Sequence, residues 1–289
     1  MPVLIEVMTP QARYERAVDR MIRHRATLVR QHRRALFAEL TRLRQQLIGE
    51  LADRGSQSDF DVWMKQRLIM AVERTAQAMA TSLRRSVTDG MMAAWQASEE
   101  GTAASLSYVG VQLPPIGIDP HQIIGAREAV GHMIVRVSAD FRSRAVQVVE
   151  QAMYGNRTPW SIIQELGRLL ALEPGRQGMG DIAYQAERIQ RTEMMRTFNL
   201  ADQMQTAELE KELPGLRKRW DATQDDRTRE THQEADQRYA VGGNPGPIPV
   251  KQDFIVGGFP AAGPYDPRLP AKEVINCRCV RRLLHPDWE

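Results

Sequence analysis

Residues able to do chemistry gather in the C-terminal quarter of the chain. Cys277 and Cys279 flank Arg278, and they are the only cysteines in 289 residues. With His232 they offer two thiols and an imidazole, three of the roughly four donors a structural zinc site uses. His285 or Asp225 would supply a fourth. In a strand, residues 277 and 279 point to the same side. That serves shared ligation equally well as two small side chains packed together. Ligating cysteines more usually stand as C-x2-C, so buried thiols are the expectation and metal ligation the alternative.

Asp221, Asp225 and Asp226 form a local carboxylate group of the kind that metal-assisted hydrolysis uses. On one short helix, Arg229 and His232 would share a face. Yet a general base needs a partner and a pocket, and helix capping explains Asp225 or Asp226 more simply. The chain has no Walker A loop, HExxH, GxGxxG or serine elbow. The expectation is therefore no catalytic residue, no cofactor and no small-molecule substrate. The alternative is a metal-dependent hydrolase or effector domain using His232, Cys277 and Cys279.

The elements that carry these residues are mostly helices. Apolar residues at Tyr14, Val18, Met21, Leu28, Leu36, Leu40, Leu43, Leu47 and Leu51 recur at steps of three and four or their sums, which predicts one helix over 11–52. A turn at 55–59 leads to a second helix over about 60–99, whose seam includes Ile69, Val72, Met79, Leu83, Val87 and Trp95. Two long helices joined by a short turn read as an antiparallel hairpin. Residues 100–118 read as a link. A third helix follows to about 153, closed by Gly155-Asn156. Thr158-Pro159 opens a short one, and Asp181 caps a fifth that runs to about 213.

After Pro214-Gly215 helical periodicity fades and Gly, Pro and Asp become frequent. Strands are predicted at 217–222, 252–256 and 275–284, a helix at 227–238, and loops at 241–250 and 257–270. The fold class is mainly α, with a long N-terminal helical hairpin or bundle and a small C-terminal α+β domain. The division expected is 1–155 as a helical region and 156–289 as a second domain, with helices to about 214 and the α+β part at 215–289.

Charge narrows the partners. The basic residues are 34 Arg and 5 Lys, yet net charge is only +3. Residues 11–54 alone carry a net of +6, which makes Arg23, Arg30, Arg33, Arg34, Arg42 and Arg44 the residues to contact DNA or an acidic partner. Two cysteines exclude a disulfide scaffold and suit a reducing cytoplasm. No apolar run approaches the ~18 residues of a membrane span, and MPVLIEVMTP lacks the basic start of a secretory signal.

Certain motifs occur in a telling order: Arg191-Thr192-Glu193 and Phe198-Asn199 on the fifth helix, then Trp220-Asp221-Ala222, Asp225-Asp226-Arg227-Thr228-Arg229 and His232. Phe254, Pro264, Asp266-Pro267 and Ile275-Asn276-Cys277-Arg278-Cys279 close the series. Over about 157–284 this resembles the phage Mu protein F-like head-morphogenesis domain of tailed-phage minor head proteins. Ala235-Asp236-Gln237 stands where that family often has Asp-Gly. The resemblance implies a minor capsid protein made in the host cytoplasm and placed inside the head near the portal, where it aids assembly, DNA packaging or delivery. It implies the portal protein as partner, with major capsid protein, scaffolding protein and phage DNA as further ones, and no membrane. Arg191, Thr192, Glu193, Trp220, Asp221, Asp225, Arg227, Arg229, His232, Asn276, Cys277, Arg278 and Cys279 are then expected to be structural.

Overall fold

The structure is a computed structural model. It describes residues 8–52, 62–114, 120–154, 158–171 and 181–289. The turn at 55–59 and the closing Gly155-Asn156 lie outside the described residues. The helices are α1 (Pro10–Ala52), α2 (Val62–Ser107), α3 (Pro120–Tyr154), α4 (Pro159–Arg168), α5 (Ile182–Glu212), α6 (Glu230–Tyr239) and α7 (Ala271–Val274). The strands are β1 (Arg217–Asp221), β2 (Ile248–Pro249), β3 (Phe254–Val256), β4 (Phe259–Ala261) and β5 (Val280–Leu284). A mainly helical chain with a small C-terminal antiparallel sheet is the architecture expected from the periodicity.

The chain forms two compact units. One comprises Arg30–Gly90 and Asp119–Arg191. Here Leu36, Leu40, Leu43 and Leu47 of α1 are buried, as are Met79, Leu83 and Val87 of α2. Each such burial contributes roughly 1.5–3 kcal/mol. His32 faces Asp89, Glu39 bonds Ser82, and Glu50 pairs with Arg74, so the partners descend as α1 ascends. This is the antiparallel pairing of the hairpin. Val130, Ile134, Val137, Phe141, Ala145 and Val148 of α3 are buried at steps of three and four. Thr158 caps α4, its hydroxyl accepting from the Ser161 amide at 3.3 Å. Asp181 caps α5 through the Ala183 amide at 2.8 Å.

The other unit comprises Met1–Val29, Met91–Ile118 and Thr192–Glu289. Its sheet has the order β2-β1-β5, with β1 antiparallel to both neighbours and Asp221 opposite Val280. β3 and β4 form a hairpin. Its two-residue turn is Gly257-Gly258, with φ of 57° and 86°, a conformation glycine reaches without strain. Trp220, Tyr239 and Phe254 pack edge to face at the core of this unit, with Phe254 4.8 Å from Tyr239 and 5.5 Å from Trp220 between ring centroids.

Several elements differ from their sequence expectation. α2 continues through residues 100–107, where a link was expected. The reason is packing on a face of small residues, Ser98, Thr102 and Ser105, beside Leu106, all of them buried. A Cβ at Gly101 would lie 2.5 Å from the Met21 Cγ, so glycine there lets α1 come close. α6 begins at Glu230 rather than 227, and no side chain of Asp225 or Asp226 caps it. The expected loops at 241–250 and 257–270 contain β2 and β4. The last strand starts at Val280, after a short helix at Ala271–Val274, so Cys277 and Cys279 precede it rather than lie within it.

Candidate functional site

The site grows from two short segments, the turn and helix at 225–239 and the run 271–279. Asp225 accepts from the Arg227 amide at 3.1 Å and from the Thr228 hydroxyl at 3.2 Å, which closes a turn ahead of α6. Arg278 grips the same carboxylate with both guanidinium nitrogens. That hydrogen bonding holds the Asp225 carboxyl well below the usual carboxylate range. Arg229 flanks α6 and donates to the Ile275 carbonyl. Two guanidinium groups thus tie the α6 segment to the cysteine segment from both directions.

Asn276 has a φ of 62°, a left-handed conformation that Asn tolerates better than most residues. It turns the chain after α7 so that the residues following it face α6. The Cys277 carbonyl accepts from the Tyr265 hydroxyl. His232, Cys277 and Cys279 meet in the interior, only 2%, 3% and 2% exposed. Nδ1 of His232 is 3.2 Å from Sγ of Cys279 and 3.6 Å from Sγ of Cys277. Hydrogen bonding between the two thiols lowers the Cys277 pKa and, with burial, raises that of Cys279.

Glu273 stands on the far side of the imidazole. Its Oε2 lies 3.1 Å from His232 Nε2 and accepts from the Thr231 hydroxyl at 2.8 Å. The Nε2 contact lies off the hydrogen-bond axis. Gly257 makes room for this carboxylate, since a Cβ there would lie 2.8 Å from Oε1. Beneath the thiols runs Arg25 of α1, buried, donating to the Arg278 carbonyl at 3.0 Å and stacked 5.4 Å from the Phe198 ring centroid.

The remaining expected residues fall nearby or apart. Trp220 stands edge-on to the His232 ring at 5.5 Å. Asp221 bonds to Arg282, whose guanidinium also takes Glu15 and Asp19 of α1. Arg227 is exposed, 3.5 Å from Asp225. Thr192 and Glu193 are buried on α5, Glu193 paired with Arg196. Arg191 pairs with Glu187. Asp226 and His285 do not join the thiols: Asp226 is exposed, and His285 lies against the Pro214 carbonyl. On α1, Arg33 reaches Glu187, Arg42 pairs with Glu39, and Arg44 donates to the Gly167 carbonyl. Arg23, Arg30 and Arg34 are exposed.

Glu273, Tyr265 and Arg282 carried no sequence expectation, and Arg25, expected among the arginines decorating the first helix, is buried. A glutamate in Ala-Lys-Glu-Val and one arginine among many on α1 carry no local signal. Arg281-Arg282 after the cysteines did offer one, because two successive buried cations in a strand demand anionic partners.

Comparison with known proteins adds two findings. Residues 147–282 match the family described as phage Mu protein F like protein. Over 96 residues, 33% of this chain, the sequence is 37% identical to a protein named NAD(+)--arginine ADP-ribosyltransferase EFV from Enterococcus faecalis (strain ATCC 700802 / V583). The shared stretch spans only 18% of that relative. No solved structure matches the chain.

Proposed function

Because residues 147–282 match the phage Mu protein F-like family, we propose that this chain is a minor head-morphogenesis protein of a tailed phage or prophage. In this reading it is a virion component that binds the portal inside the procapsid and aids head assembly, DNA packaging or delivery. The observation that carries the proposal is the family match over the stretch where the motif residues lock together. Asp225 with Arg278 and Arg229 with the Ile275 carbonyl form a partly exposed set of ties around the buried His232, Cys277 and Cys279. Such a network rigidifies a small domain. Its role is structural, because donors only 2–3% exposed offer a substrate no access. The transferase activity in the relative's name belongs to that protein, which shares under a fifth of its length with this chain.

The test is binding of the purified full chain to assembled portal rings from the same phage, read by co-elution on size exclusion. Co-elution at a fixed stoichiometry is expected, and separate elution at micromolar concentrations of both would contradict portal docking.

A second reading, contact with phage DNA, rests on exposed Arg23, Arg30 and Arg34 along α1. Three phosphate contacts would give a log–log dependence of affinity on salt of about −2.7. Titration of the chain onto duplex DNA between low and moderate salt checks this. A slope near zero would remove it.

A further inference from the structure

We propose that His232, Cys277 and Cys279 form a binding site for a zinc-class metal ion, with Glu273 as the outer carboxylate that orients the imidazole. The proposal stands independently of the head-assembly reading. Its first support is geometry. Zinc bonds of about 2.0 Å to nitrogen and 2.3 Å to sulfur, opened to a tetrahedral angle, place N and S about 3.5 Å apart. Nδ1 of His232 lies 3.2 and 3.6 Å from the two sulfurs, and the three donor atoms all lie within 4.8 Å of one another.

The second support is the histidine's other nitrogen. Glu273 Oε2 at 3.1 Å from Nε2 favours the proton there and leaves the Nδ1 lone pair facing the thiols. A carboxylate behind a ligating imidazole is the usual outer partner of a zinc histidine. Nε2 and Oε2 lie 3.1 Å apart without being aligned as a hydrogen bond.

The third support is charge. Arg25 is 5% exposed, and its Nη1 has no hydrogen-bond partner among the described residues. The Asp202 carboxylate, the Arg278 carbonyl and the Phe198 ring offset part of the cost of burying it. With both cysteines ionised, a divalent cation neutralises the two thiolates, and Arg25 and Glu273 balance each other. The donors join α6 to a segment 45–47 residues further along, so the ion would staple the two. With three protein ligands the fourth position falls to water.

The full chain, purified under reducing conditions, is titrated with Co(II) as a spectroscopic stand-in for Zn(II). Thiolate-to-cobalt charge-transfer absorption should saturate at about one equivalent and vanish when Zn(II) is added. Cys277→Ser and Cys279→Ser should each lose that band. Glu273→Gln should keep the stoichiometry and weaken the affinity about 10–100-fold. Because a cysteine variant can misfold, the wild-type titration decides. A well-folded, reduced chain that develops no thiolate–cobalt band refutes the site, and unchanged affinity in Glu273→Gln refutes the role given to Glu273.

Discussion

Lys218 lies on β1 with its side chain buried, donating to the Ala262 carbonyl at 2.7 Å above the Phe254 ring. Burial pushes its pKa down to about 7 from the ordinary 10.5. In the unfolded chain the amine stays protonated up to its ordinary pKa, so between these two values the unfolded state holds more protons than the folded state. Stability therefore rises with pH through that window, by up to about 1.4 kcal/mol per pH unit. Below pH 7 the cost of burying the cation is fully present. Chemical denaturation at pH 6.5 and pH 9 should show this rise in the wild type and a smaller one in Lys218→Met. Equal slopes in both proteins would assign the rise to other groups. At this scale part of the site was legible: His232, Cys277 and Cys279 carry residue types that can ligate a metal, whereas Asp225 reads as a helix cap and its pairing with Arg278 lies 53 residues away. Glu273 was not, since its meaning comes from lying against His232, 41 positions earlier in the chain.

At the scale of elements, long apolar periods were readable and small buried polar faces were not. α1 and the first part of α2 follow from apolar residues at steps of three and four or their sums. The extension to Ser107 is hidden because Ser98, Thr102 and Ser105 occupy its buried face. Ser98 donates to the Phe198 carbonyl at 2.8 Å and Ser105 to the Gly101 carbonyl at 2.7 Å, so burial costs them little. The start of α6 was misplaced for a related reason. The Asp225 carboxylate that would have capped it is held by Arg278, 53 residues away. Gly101 supplies a test of the α2 extension. Gly101→Ala gains up to about 1 kcal/mol of helix propensity. The clash with the inner atoms of Met21 costs about 1–3 kcal/mol. The clash should win, and the melting temperature should fall. A rise would mean that α1 and α2 lie farther apart at this point.

At the scale of the whole molecule, the chain does not fold as a string of consecutive pieces. Segments from α1, α2 and the C-terminal third make one compact unit, and the remaining parts of α1 and α2 with α3, α4 and most of the first third of α5 make the other. Glu15 pairs with Arg219 and Arg282, contacts across 204 and 267 residues that no local pattern announces. The change of texture after Gly215 was visible along the chain, whereas the return of residues near the N-terminus to the C-terminal sheet was not. The central claim, that this molecule is a component of phage heads, is tested most directly by sedimenting procapsids from cells producing the phage or prophage that encodes it, then quantifying the chain by mass spectrometry. The account predicts that the chain travels with procapsids at a small fixed copy number relative to the portal. Its absence from both procapsids and mature particles, with portal present, would contradict it.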